Sequence, residues 1–152
     1  LDSASSWLER ATSLSPNYAQ GLYALAWTNT IAGTGNESRE QLDLAMRLSP
    51  LDPLYYAMLG ARGFTHIARG EYCEAVAWTD EAARSPGAHV LMALLAAASQ
   101  VLAGNPTQAA NWAKSVRERA PSLTSADFFR AYPVTAEPMR SKIATALTKI
   151  GY

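Results

Sequence analysis

Apolar residues along this chain recur at the spacing of amphipathic helices, and glycine or proline separates one such stretch from the next. The clearest pair predicts helices over 53–69 and 72–84, with Gly70 between them, because glycine readily takes the left-handed conformation found at helix ends. The pattern therefore indicates a series of helices joined by short turns. Further helices are predicted over residues 3–14, 17–32, 37–48, 88–103 and 106–120.

Polar residues suited to capping helices stand before several of these stretches. Asp52 is placed as an N-cap, with Pro53 at the first helical position, where its missing N–H costs nothing. Asn105 is followed by Gln108 at capping-box spacing, and Thr135 precedes the last apolar stretch. We expect Asp52, Asn105 and Thr135 each to cap a helix.

A second pattern is a repeat with a period of 34 residues. A fixed period of this length indicates a two-helix unit that is used several times, and such units stack to form an extended surface. Trp78 and Trp112 lie one period apart, and we assign Trp7, which precedes Trp78 by 71 residues, to the same place in the repeat. We therefore expect the three tryptophans to occupy equivalent places in the scaffold. The residues repeated at this interval are Gly70 and Gly104, Ala75 and Ala109, Trp78 and Trp112, and Pro16 and Pro50.

The composition narrows the class of protein. Apolar residues make up 49% of the chain, alanine is common, and Val and Ile are sparse, which favours packed helices over sheet. Thirteen basic and thirteen acidic residues give no net charge, so nothing predicts binding to nucleic acid or to an anionic membrane. The longest apolar stretch, 90–98, is too short to span a bilayer. The single cysteine, Cys73, cannot form an internal disulfide, and a reducing, cytoplasmic compartment is expected.

The residues of the clearest unit resemble the tetratricopeptide repeat family. Gly70, Tyr72 and Ala75 follow that family's pattern at the turn, and Ala82 and the closing Pro86 come after them. The resemblance implies an all-α fold, a right-handed superhelix of antiparallel helix pairs with a C-terminal capping helix. Within a single domain over 1–152, it implies a half-repeat over 1–16, repeats over 17–50, 51–86 and 87–121, and a cap over 122–152.

The first predicted helix matches the second half of such a unit. Leu8, Ala11 and Pro16 lie in that phase, and the first half of the unit is absent. We therefore expect the natural protein to continue upstream. We also expect Trp7 and Leu8 to lack a covering partner, which favours self-association.

The period fails after Pro121, where a tail begins. Thr124 and Asp127 predict the start of a short helix, which Tyr132 and Pro133 end. A last helix follows, and we expect the tail to cover the final apolar face of the stack. The apolar positions of that last helix are Met139, Ile143, Leu147 and Ile150.

Two longer stretches, 45–56 and 121–133, are similar to the C-terminal repeat region of bacterial multidomain transcriptional regulators and class III nucleotide cyclases. In those proteins the repeats follow a winged-helix DNA-binding domain or a cyclase domain. The resemblance implies a regulatory or partner-binding arm, and no residue of this chain matches either effector domain.

Residues able to carry chemistry are few. His66 and His89 have no partner ligands at metal-site spacing, and we expect His66 to be a packed core residue and His89 to stand at a helix start. The acidic neighbours of Cys73 favour an inert thiol. A Ser–His–acid triad stays an open alternative at the level of sequence, because the members of such a triad can lie far apart in the chain. We predict no enzyme, no metal and no cofactor.

The remaining candidate site is the inner groove of the stack, which the first helix of each repeat would line. An aromatic, apolar groove suits a protein or peptide segment, and a second copy of the chain is a further possible partner. Two alternatives stay open: the same side chains fill the core between repeats, or the groove serves a small-molecule sensor or a minor hydrolase. The residues predicted to face the groove are Tyr23, Trp27, Tyr56, Phe64, Leu91 and Leu94.

Overall fold

The computed structural model describes residues 2–152, with the side chains of residues 3–152, so Leu1 of the expected half-repeat lies outside it. The described residues form nine α-helices and no β-strand, which makes the fold all-α. Every helix predicted from the sequence forms, and α1 to α7 have ends within two residues of the predicted ranges. The helices are α1 (Asp2–Leu14), α2 (Ala19–Ala32), α3 (Ser38–Leu48), α4 (Tyr55–Arg69), α5 (Tyr72–Arg84), α6 (Val90–Leu102), α7 (Pro106–Arg119), α8 (Ser125–Ala131) and α9 (Met139–Lys149).

Consecutive helices pack against one another as pairs. Such pairs are formed by α2 with α3, α4 with α5, and α6 with α7, each connected by a short turn, and α5 contacts α6 as extensively as α2 contacts α3. Gly33, Gly70 and Gly104 stand at these turns with φ of 84°, 75° and 79°, a left-handed conformation that glycine adopts without strain. α2, α4 and α6 also contact one another in order, and we call these three helices the inner row.

The two helices of the central pair approach closely because small side chains lie between them. Ala75 and Ala82 of α5 are fully buried. A Cβ added at Gly63 of α4 would lie only 2.4 Å from Cγ2 of Thr79 on α5. No side chain fits at this position unless α4 and α5 shift.

The tail crosses back over the inner row. The ring of Tyr132, just after α8, lies 5.4 Å from that of Phe64 on α4, measured between centroids. The backbone N–H groups of Thr135 and Ala136 both donate to the carbonyl of Ile31, near the end of α2, at 2.9 Å. α9 then packs against α6. The tail therefore covers α6 of the last pair with α9 and also crosses the inner row, where burial of its aromatic side chains stabilises it.

The three polar residues expected to cap helices bind elsewhere. α4 begins three residues after Asp52, whose carboxylate accepts the N–H of Leu54 at 2.8 Å in the preceding turn. Asn105 stands at the N-cap position of α7, directly before Pro106, but its side-chain amide donates to Oε1 of Gln100 on α6 at 3.0 Å and forms no cap hydrogen bond. Thr135 donates its hydroxyl to the carbonyl at the end of α2, and α9 begins four residues later. The predictions for Asp52 and Thr135 are wrong, because α4 and α9 begin further along the chain. The predicted start of α7 is confirmed, but the capping box expected there is absent because a group on α6 binds the Asn105 side chain.

The start of α8 confirms the prediction made for Thr124 and Asp127. The Thr124 hydroxyl oxygen accepts the N–H of Asp127, and the Asp127 carboxylate accepts the N–H of Thr124 at 3.0 Å, which forms a capping box. Hydrogen bonds from Thr124 hold the pKa of Asp127 below its ordinary value. The capping box fixes where α8 begins, and it helps to set where Tyr132 lies.

The three tryptophans assigned to one place in the repeat do not all occupy equivalent places. Trp7 is 71% exposed on α1, in agreement with the expected lack of a covering partner. The guanidinium of Arg62, on α4, lies 5.0 Å from the centre of the Trp78 ring. Trp112 donates its indole N–H to the carboxylate of Asp80, on α5, at 2.9 Å. The expectation of equivalence is therefore wrong for Trp7. Trp78 and Trp112 are both half-buried on the second helix of a pair, and the Arg84 guanidinium lies 5.5 Å from the centre of the Trp112 ring, as Arg62 lies over Trp78.

Candidate functional site

A cavity of about 380 Å³ opens on the inner row, between α2, α4, the start of α6 and the end of α8. Its volume lies in the range of sites that bind small ligands. Five of its lining residues are aromatic, and we call it the aromatic cavity. The lining residues are Tyr23, Trp27, Leu54, Tyr56, Ala57, Ala61, Phe64, His89, Leu91, Met92, Ala131 and Tyr132.

The six residues predicted to face a groove have two different surroundings. Leu94 is fully buried in the core, so the groove position expected for it is corrected. The cause is that α6 contacts α4, α5, α7 and α9, which together enclose its middle. The other five line the aromatic cavity: Tyr23, Trp27, Tyr56, Phe64 and Leu91.

Tyr132 joins these rings from the tail. Its centroid lies 5.8 Å from that of Trp27 and 5.4 Å from that of Phe64, with interplanar angles of 78° and 61°. Trp27 and Phe64 meet at 5.0 Å and 65°. Rings inclined in this way pack edge to face, as aromatic pairs prefer, and they form the corner of the cavity. Sequence reasoning missed Tyr132, because beside Pro133 it indicates only the end of a helix.

The hydroxyl groups of Tyr23, Tyr56 and Tyr132 form the polar part of the aromatic cavity. Burial, then Tyr56, then the Asp52 carboxylate raise the pKa of Tyr23 to about 12. Burial, followed by Tyr23 and Tyr56, raises the pKa of Tyr132. Among the side-chain hydrogen bonds formed by residues 3–152, none involves these three hydroxyls. Tyr23 and Tyr132 are therefore neutral at physiological pH, and all three hydroxyls are free to bond a ligand.

A group of exposed apolar side chains adjoins the aromatic cavity. Leu54 lines the cavity and is 43% exposed, and Leu51 is 94% exposed. Gln20, at the start of α2, donates to the Asp52 carboxylate at 2.5 Å, so the loop before α2 lies beside the loop before α4. We call the exposed apolar residues of these two loops, together with the last residues of α1 and α3, the apolar rim. They are Leu14, Tyr18, Leu48, Leu51 and Leu54.

A separate polar cluster joins α3, α4 and the turn before α5. The Nδ1–H of His66 donates to the Glu71 carboxylate at 2.6 Å, and Nε2 accepts from Arg62 at 3.0 Å. Arg39 also pairs with Glu71, and Arg62 pairs with Asp43. Burial, opposed by the Glu71 hydrogen bond and aided by the two arginines, lowers the pKa of His66. The ring is neutral and only 6% exposed, which confirms His66 as a packed core residue.

Other parts of the described chain offer less for ligand chemistry. A second cavity, of about 470 Å³, lies between α7 and the end of α9, and its Arg117 already donates to the Ile150 carbonyl. Within the described residues no group of three or more His, Cys, Asp or Glu side chains could hold a metal ion. The same residues contain no helix with the length and apolar character needed to cross a membrane.

Comparison of the chain with protein-family models, with curated proteins and with solved structures finds no match. The function is therefore inferred from the chain's own residues. Two features are the basis for that inference: the aromatic cavity, and the apolar rim beside it.

Proposed function

We propose that this chain is a non-catalytic protein–protein interaction module, built as a tetratricopeptide-like right-handed superhelix. In this proposal it is the C-terminal regulatory arm of a bacterial transcriptional regulator or signalling protein and works in the cytoplasm. The observation that carries the proposal is the aromatic cavity, which the tail leaves open beside the apolar rim. Exposed apolar surface next to an open cavity is typical of a site that receives a partner.

The superhelix is supported by the turns and by the order of contacts. Gly70 and Gly104 stand 34 positions apart, each between the two helices of a pair, and both have the same left-handed conformation. Contacts along the inner row, from α2 to α4 to α6, are what stacked two-helix units produce. The regulatory role rests on the resemblance of 45–56 and 121–133 to the repeat regions of bacterial regulators.

The partner that we infer is a short segment with one large apolar anchor. Tyr132 and the rest of the tail occupy part of the inner row, so a long groove along its whole length is not available. One aromatic or leucine side chain fits the aromatic cavity, and its burial contributes about 1.5–3 kcal/mol. The flanking residues of the segment would lie on the apolar rim, where Leu51 and Leu54 offer further apolar area.

A selection of displayed peptides on the folded protein, followed by calorimetry with the selected peptides, tests this proposal. We expect peptides with a single apolar anchor, and we expect Tyr56→Ala and Leu54→Asp each to weaken binding about tenfold. Ala110→Asp, at an exposed position of α7 away from the aromatic cavity, is the matched control and should keep full affinity. Selected peptides that bind both cavity variants as tightly as the parent chain would contradict the proposal.

A second candidate function is small-molecule sensing by the same cavity. The unpaired hydroxyls of Tyr23, Tyr56 and Tyr132 favour it, because a small polar ligand would satisfy them. A thermal-shift screen against metabolites separates the two functions. A saturable shift that is lost in Tyr23→Ala or Trp27→Ala favours the sensor. Absence of a shift, together with peptide binding or measurable self-association, favours the interaction module.

A further inference from the structure

The rings of the aromatic cavity suit one class of ligand. Tyr23, Trp27, Tyr56 and Tyr132 are half-buried, so each ring keeps surface that a ligand in the cavity can contact. The faces of aromatic rings carry partial negative charge and attract cations, and tryptophan and tyrosine are the most effective. Four such rings line one cavity, so a cation bound there would lie near several aromatic rings at once.

The charges near the aromatic cavity agree with a cationic ligand. Neither lysine nor arginine is among the described residues that line it. Asp52 lies close enough to Tyr23 for its carboxylate to raise the pKa of that hydroxyl. The N–H of Leu54, the largest of several causes, holds the pKa of Asp52 below its ordinary value, so this carboxylate is charged at neutral pH. A cation entering the cavity therefore meets a nearby negative group.

The N-terminus of α6 contributes partial positive charge at the cavity, and the protein itself offsets part of it. Nδ1 of His89 accepts the N–H of Leu91 at 3.2 Å, so this donor is already satisfied. That N–H group therefore does not face a cation in the cavity unpaired.

We propose that the aromatic cavity binds a quaternary ammonium group, held against the rings of Tyr23, Trp27, Tyr56 and Tyr132. The inference rests on the proposed function, because it names the ligand class of the same cavity. Alkyl groups on the nitrogen pack against the rings while the charge interacts with their faces. A primary ammonium group is strongly hydrated and loses more on entering such a site. The group has two possible sources, a free molecule such as choline or a trimethylated lysine of a partner segment.

Isothermal titration calorimetry on the full chain with choline and with 3,3-dimethyl-1-butanol, its uncharged carbon isostere, tests the charge. We expect choline to bind about tenfold more tightly than the isostere, since the two differ mainly in charge. A peptide with trimethyl-lysine and the same peptide with unmodified lysine test the source. Tighter binding of the trimethylated peptide than of choline assigns the cation to a partner segment, and the reverse assigns it to a free molecule.

Substitutions at Tyr56 separate the ring from its hydroxyl. Tyr56→Phe keeps the ring, and choline affinity should stay within about twofold, whereas Tyr56→Leu removes the ring and should weaken binding about fivefold. Asp52→Asn removes the nearby charge while its side-chain oxygen still accepts from Leu54, and we expect a loss of about threefold. Glu118→Gln, on the exposed face of α7, is the matched control and should bind choline as the parent chain does.

Equal affinity for choline and its isostere overturns the inference, and so does a lack of binding by both choline and the trimethyl-lysine peptide. Equal loss in Tyr56→Phe and Tyr56→Leu also overturns it, because hydrogen bonding by the hydroxyl then explains the binding. These results do not contradict the interaction module if selected peptides still bind and if Leu54→Asp still weakens their binding. Failure of peptide binding as well overturns both proposals.

Discussion

Gly63→Ala tests how closely α4 and α5 approach. The new Cβ would lie 2.4 Å from Cγ2 of Thr79 but at ordinary distances, 3.6 and 3.7 Å, from the next nearest atoms, the Thr79 nitrogen and the Ala75 carbonyl oxygen. The clash is thus confined to one methyl group. Thr79 cannot easily turn that methyl away, because its hydroxyl donates to the Ala75 carbonyl at 2.9 Å and the residue is fully buried.

Two opposing free-energy terms set the size of the effect. Replacing glycine by alanine inside a helix stabilises it by about 1 kcal/mol. Overpacking a close contact costs about 1–3 kcal/mol, so we expect Gly63→Ala to lower the free energy of unfolding by up to about 2 kcal/mol. Thr79→Ser alone removes a buried methyl group and should cost about 1 kcal/mol. In the double variant the new Cβ occupies the space of the lost methyl, and the coupling between the two sites should be about 1–2 kcal/mol.

Urea unfolding followed by circular dichroism measures all four proteins of this cycle at 25 °C. Gly60→Ala is a matched control, since its Cβ would meet the flexible end of Met92 at 2.7 Å, and we expect Thr79→Ser not to rescue it. A gain of about 1 kcal/mol in Gly63→Ala, the full value of helix propensity, would refute the close approach of the two helices. A coupling energy near zero would also refute it.

Three further predictions concern pH, the start of α8 and α1. Because the pKa of His66 is lower in the folded protein, the unfolded chain binds more protons, so the free energy of unfolding should fall as the pH drops below about 6.5. In urea unfolding at several pH values, His66→Gln should make that fall less steep, and an unchanged slope would contradict the role of His66. Thr124→Ala removes the capping box and should lower the free energy of unfolding in urea by about 1 kcal/mol. Thr145→Ala, at an exposed mid-helix position, should lower it by less, and equal losses would argue against the cap. Trp7→Ser should weaken any self-association seen by analytical ultracentrifugation, because Trp7 is 71% exposed; an unchanged association constant would remove α1 from the interface.

The structural features that could be predicted from the sequence depend on neighbours only a few residues away. The glycine turns at Gly70 and Gly104 and the capping box of Thr124 and Asp127 are local, so their residue types were enough to place them. The helix ends followed for the same reason. Thr135 was misassigned because its hydroxyl binds a carbonyl of α2, 104 positions earlier in the chain.

The candidate site was predictable only in part. Tyr23, Trp27 and Tyr56 were located by their place on the first helix of each unit, and all three line the aromatic cavity. Leu94 also lies on the first helix of its unit, but the helices packed around α6 bury it. Tyr132 could not be found in this way, because no period links the tail to the units against which it packs.

By itself, the sequence determined the all-α class, the helix boundaries and the pairing of neighbouring helices through glycine turns. These properties follow from hydrophobic periodicity and backbone conformation, which act over one or two helical turns. Only the tertiary structure decided that the tail crosses the inner row and that Tyr132 lines an aromatic cavity with Trp27. Burial of apolar rings has no direction along the chain, so where the tail packs depends on which surface the assembled helices leave uncovered.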